Sequence, residues 1–112
     1  MELTHIQQCK TCPWKKSSKV ADIPNYNCSL HKSLIDTIAD DEGNLSKIGQ
    51  QIKIMACHYS KDGAEKECVG WLNNQLGAGN NIPLRMRMMH CSNITDIKLD
   101  GLQKETFEET FQ

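Results

Sequence analysis

The chain has 112 residues, a formal charge of −1, 38% hydrophobic and 24% charged residues; that is enough for one core and too short for two. Leu, Ile, Val and Phe together number only 23, so the core is thin, and six Cys with four His offer the staple that so small a domain needs. Residues 1–8 lack the charged and apolar stretches of a secretory leader and no apolar run could span a bilayer, so a cytoplasmic protein without membrane contact is expected, where cysteine clusters bind metal or do chemistry more often than they form disulfides.

Residues 9–28 hold turn formers without sustained periodicity and read as an irregular loop. From Ser29, a good N-cap, Leu30, Leu34, Ile35 and Ile38 recur at helical spacing, predicting a helix with one buried stripe that stops at Asp41-Glu42-Gly43-Asn44. Ile52 to Cys57 is β-prone and alternates at its start, as a strand entering a core does. Asp62-Gly63-Ala64-Glu65 resembles a capping box, and Cys68, Val69, Leu72 and Leu76 then share a face, so a second helix is predicted over about 63–76, ended by Gly77. Its interior Gly70 costs up to ~1 kcal/mol relative to Ala, which is tolerable where the missing side chain lets another group approach. Leu84, Met86 and Met88 alternate with Arg85, Arg87 and Met89, predicting a second strand. The segment 96–112 carries five acids against Lys98 and Lys104 and reads as an acidic tail or helix with Leu102, Phe107 and Phe111 on an apolar edge. The expected fold is therefore α+β: a metal-stabilised domain over 1–95, with two helices and a short sheet closed around a four-cysteine metal site, followed by the 96–112 tail.

Cys9-x2-Cys12 is the strongest motif, since two thiols three positions apart on a tight turn can both ligate one tetrahedral ion. Two continuations complete it. Cys28-x2-His31 has the spacing of a zinc finger or ribbon; Cys57 and Cys68 instead assemble a site from distant segments. Spacing alone favours the first. Read together, Cys9-Lys-Thr-Cys-Pro-Trp-Lys, Met55-Ala-Cys-His, Cys68-Val-Gly-Trp and Asn81-Ile-Pro-Leu-Arg resemble a small uncharacterised family of bacterial and phage proteins, a domain of unknown function marked by CxxCPW(R/K), a CH pair, CxGW and NIxxR over roughly residues 9–88. That resemblance implies Cys9, Cys12, Cys57 and Cys68 as the ligand set, with His58, Trp14 and Trp71 beside it, and leaves Cys28 and His31 outside; it brings no activity.

Free Cys is commonly a small core residue, the reading given to Cys28 and Cys91. Zinc is the expected ion for four thiolates. A [4Fe–4S] cluster in a regulator or redox sensor is the alternative, because proline directly follows Cys12 and Cys68-Val-Gly-Trp71 is loosely similar to the Gly-Trp turn of the WhiB-like iron–sulfur transcription regulators. Catalysis is not expected: there is no P-loop, HExxH or glycine fingerprint, and adjacent Cys57 and His58 lack the geometry of a nucleophile and its base. Lys10, Lys15, Lys16 and Lys19 around Trp14, with Arg85 and Arg87, form a candidate patch for phosphate or an acidic partner. The expected function is a metal-binding adaptor or modulator, phage-encoded, that binds a protein or nucleic acid.

Overall fold

Asn27, rather than Ser29, starts the first helix: its side chain accepts from the Leu30 N–H at 3.0 Å, satisfying one of the donors that an open helix end exposes. In the computed structural model, which describes residues 2–3, 5–23, 26–57 and 66–111, α1 runs Cys28–Ser33 and tightens into a 3-10 turn, Leu34–Thr37. The predicted apolar stripe is not the buried one. Leu30 and Ile35 are exposed, Leu34 and Ile38 are half-buried, and the fully covered residues are His31 and Thr37.

α2 covers Val69–Leu76 with Cys68 at its N-cap. The Asp62 to Glu65 capping signal lies outside the described residues. Gly77 does end the helix, its N–H reaching the carbonyls of Asn73 and Asn74 at 3.1 Å, as the sequence leads one to expect. Buried Gln75 then ties three segments together: its Oε1 accepts from the Ala39 N–H at 2.8 Å and from Asn81 Nδ2 at 3.1 Å, while its Nε2 donates to Asn74 Oδ1.

α3, Ile82–Met88, occupies the stretch predicted as the second strand. Asn81 accepts from the Leu84 N–H and Pro83 sits in the first turn, where its missing donor costs nothing. The burial pattern has the period of a helix: Pro83, Leu84 and Met88 are covered, whereas Met86, placed on the same face by a strand reading, is exposed.

The first strand also fails to form. Ala56 makes one isolated antiparallel bridge to Glu67, flanked by Cys57 N–H to the Lys66 carbonyl at 2.7 Å and Cys68 N–H to the Met55 carbonyl at 2.9 Å. The pairing ends there because the chain turns into α2 at Val69. The α+β expectation is thus corrected: the fold is three helices with 3-10 turns, and the described residues contain no strand or sheet. Nor do they contain a group of three or more His, Cys, Asp or Glu side chains already assembled to hold a metal ion, so the fold is not one closed around such a site.

The segment from Asp96 onward is built into the body. Lys98 exchanges backbone hydrogen bonds with Ile6 and Gln8, Lys16 N–H reaches the Leu102 carbonyl and Lys104 N–H the Trp14 carbonyl, all at 2.7–2.9 Å. Phe107 and Thr110 are buried, and Phe107 lies 6.4 Å from Trp14 between ring centroids. The core gathers Trp14, Met55, Trp71, Leu72, Leu84 and Met88 around this contact.

Candidate functional site: a cluster of four thiols

Cys9 and Cys12 lie on successive turns, with Cys12 N–H on the Cys9 carbonyl and Lys15 N–H on the Cys12 carbonyl. Those turns fold the Cys12 and Trp14 side chains inward, where both are completely buried. They meet α2 at Gly70. A Cβ there would stand 2.6 Å from Trp14 Cβ and 2.8 Å from both Cys12 Sγ and Gln8 Nε2, closer than carbon approaches such atoms without displacement, so glycine is what lets the helix N-terminus seat on the cysteine loop. The short pairing of 55–57 with 66–68 brings Cys57 to the same place.

The result is a pair of thiols in contact with two more close by. Cys12 Sγ is 3.7 Å from Cys68 Sγ; Cys9 interacts electrostatically with Cys12 and Cys57, and Cys57 with Cys68. None of the cysteines is in a disulfide, and 3.7 Å is far beyond the ~2.05 Å of an S–S bond. Of the sequence-proposed set, Cys12 and Cys68 are in contact while Cys9 and Cys57 lie near enough to act on them electrostatically, Cys9 half-buried and the other three buried.

Electrostatics single out Cys12. Interaction with the Cys68 and Cys9 thiols, and against the opposing effect of burial the Trp14 backbone N–H and the Gln8 side chain, favour its anion, so its pKa lies well below the usual thiol range. Cys9 is pushed up by its interaction with Cys12 and Cys57, and also by burial and by the charges of those neighbours. Cys68 is pushed up by its hydrogen bond to Cys12, by burial and by the Cys12 charge, with the Trp71 backbone N–H opposing without closing a cap hydrogen bond.

Gln8 was not singled out by the sequence. Buried, it pairs its amide reciprocally with Gln103 at 2.7 and 2.8 Å and accepts from the Asp100 N–H at 2.9 Å. It thus links the Cys12 sulfur to the C-terminal segment. No spacing rule reports such a residue, because its partners lie more than 90 positions away. The two tryptophans pack beside the cluster with their N–H groups satisfied: Trp14 Nε1 donates to Met55 Sδ at 3.4 Å and Trp71 Nε1 to the Thr37 carbonyl at 3.0 Å. His58 lies outside the described residues.

Cys28 and His31 are engaged elsewhere. Cys28 is exposed rather than in the core. The Thr110 hydroxyl donates to the Phe107 carbonyl, which leaves its oxygen to accept from His31 Nε2–H at 2.9 Å, while Nδ1 accepts from the Tyr26 hydroxyl at 2.7 Å. With its ring stacked 3.8 Å from Phe111, His31 has neither nitrogen spare for a metal. Cys91 is buried, as expected, its thiol donating to Asn93 Oδ1.

The lysine patch divides. Lys15 is buried, 2.6 Å from Asp100 Oδ2 and 3.0 Å from the Lys10 carbonyl, so its charge is structural. Lys10, Lys16 and Lys19 are exposed on the loop; Arg85 and Arg87 are exposed on α3, with Arg85 Nη2 on the Gly77 carbonyl at 3.2 Å. No helix among the described residues is long and apolar enough to cross a membrane.

Neither the curated proteins nor the solved structures include a match to this chain. The sequence profile of a family of unknown function, DUF6283, matches residues 5–110, a span that takes in all four clustered cysteines together with the Gln103 and Phe107 that buttress them. The chain belongs to the family of unknown function DUF6283.

Proposed function

We propose that Cys9, Cys12, Cys57 and Cys68 hold one structural zinc ion, and that the domain so stabilised is a small adaptor or modulator that binds a protein or nucleic acid in a bacterial or phage-infected cytoplasm. The carrying observation is the 3.7 Å separation of Cys12 Sγ and Cys68 Sγ. With Zn–S bonds of ~2.3 Å, the edge of a tetrahedron is about 3.8 Å. In a [4Fe–4S] cluster each cysteine ligates a different iron, and a four-iron core cannot fit between sulfurs already in contact. The distance therefore favours a mononuclear ion over the cluster. A zinc ion would replace the protons of the thiol cluster, drawing Cys9 and Cys57 onto the Cys12–Cys68 edge, with Gln8 and the Trp14 N–H orienting the Cys12 sulfur.

Magnitudes support a structural role. Zinc in such sites contributes roughly 10–16 kcal/mol of apparent binding energy, against a net stability of ~5–15 kcal/mol for a typical domain. Elemental analysis of anaerobically purified protein tests the reading. One zinc per chain and a colourless protein are expected, with zinc lost from Cys9→Ser and Cys68→Ser, retained in Cys28→Ser, and bound about 10–100-fold more weakly by Gln8→Ala. Brown, iron-containing protein, or a fold that survives complete metal removal, would overturn it.

A further inference from the structure

Two adjoining cavities of about 180 Å3 each share Gln50, Gln51, Ile52 and Pro83 as walls, making one groove between the 45–53 stretch and α3. One wall is backbone without a backbone partner among the described residues. The ladder through Met55 and Cys57 runs out where its partner turns into α2 at Val69, and among the described residues 51–54 take part in no backbone hydrogen bond. Such groups must be satisfied by water or by another chain. Ile52 and Ile54 are half-buried while Gln51 and Lys53 are exposed, the alternation of a strand edge.

The groove also carries a sign. Among the described residues, Lys47, Lys53 and Arg87 line it against one carboxylate, Asp36. That acid reaches Lys53 at 3.5 Å with both side chains largely in water, a contact that contributes little. Among the described residues no aromatic side chain lines either cavity, so a nucleic-acid base would find no ring of theirs to stack on.

We infer that this groove receives an acidic, extended peptide segment of a partner protein, which adds as a strand along 51–54 and sets its carboxylates on Lys47, Lys53 and Arg87. The inference rests on the protein-binding part of the adaptor reading, and does not require the zinc. It moves the basic recognition surface from the cysteine loop, where Lys15 is neutralised, to the groove between 45–53 and α3.

The test is fluorescence anisotropy on the full chain with a short labelled peptide of alternating Glu and Val, its Lys/Val counterpart, a version N-methylated at alternate residues, and a short oligothymidylate. The acidic peptide is expected to bind saturably and more weakly as salt rises. N-methylation should abolish binding, and Lys53→Glu with Arg87→Glu should weaken it at least about tenfold with an unchanged circular dichroism spectrum. Absent binding of the acidic peptide, equal binding of the basic or N-methylated peptide, preference for the oligonucleotide, or full affinity in the charge-reversed variant each overturns the inference. Zinc measured in the same samples separates the two readings: zinc-loaded protein that ignores the peptide refutes the groove alone, and zinc-free folded protein that binds it refutes the metal alone.

Discussion

Gly70 joins the sequence motif to the geometry most directly. Alanine would raise helix propensity by about 1 kcal/mol, yet its Cβ would press on Trp14 Cβ and Cys12 Sγ at 2.6 and 2.8 Å, and Trp14 is fully buried with nowhere to move. Overpacking of this kind costs ~1–3 kcal/mol, so the steric effect wins. Gly70→Ala should lower the urea midpoint of unfolding; a midpoint equal to or above that of the parent chain would show that the helix and loop do not meet this closely. The glycine's purpose was legible because an interior helix glycine demands a reason. The identity of the approaching atoms was not, since Cys12 and Trp14 lie nearly 60 residues upstream.

At the scale of an element, α1 is held by its histidine. Burial, aided by the nearby Lys104 charge, lowers the His31 pKa below its usual 6.5, and Nδ1 must stay unprotonated to accept from Tyr26. The unfolded chain therefore binds this proton more readily than the folded one, so the stability from neutral His31 is fully present above pH 6.5 and is lost as pH falls toward the folded value. Thermal unfolding followed from pH 7.5 to 5.5 should show a falling Tm that flattens in His31→Phe; an identical slope in the variant would assign the dependence to another group. The periodicity of Leu30, Leu34, Ile35 and Ile38 was real in the sequence, yet it did not predict which face is buried. The aromatic residues that cover His31 come from Phe107 and Phe111, and local spacing carries no information about them. In α3 the opposite happened: Leu84, Met86 and Met88 fit a period of two, but the same Leu84 and Met88 are also four apart, and the Asn81 cap and Pro83 settle the ambiguity toward helix.

For the whole molecule, the decisive contact is between the two ends of the chain. Removing residues 96–112 would delete Phe107, a buried ring of a class whose truncation alone costs ~3–5 kcal/mol, and would strip the Gln8, Trp14 and Lys16 backbones of their partners. Against a net stability of ~5–15 kcal/mol, the shortened chain should be unfolded or aggregated. A soluble chain ending at residue 95, with cooperative thermal unfolding, would show the segment to be dispensable.

The sequence by itself determined the stop at Gly77, the need for a gap at Gly70 and the burial of Cys91, because each depends on residue chemistry at short range. Tertiary structure decided the rest. Whether 52–57 becomes a strand depends on how long its partner stays extended, and the partner turns into α2 after one bridge. Whether Lys15 is a binding charge depends on Asp100, 85 residues away. The near-zero net charge therefore hides a tail whose Asp100 and Phe107 close against the cysteine loop, and leaves Lys47, Lys53 and Arg87 around an open groove.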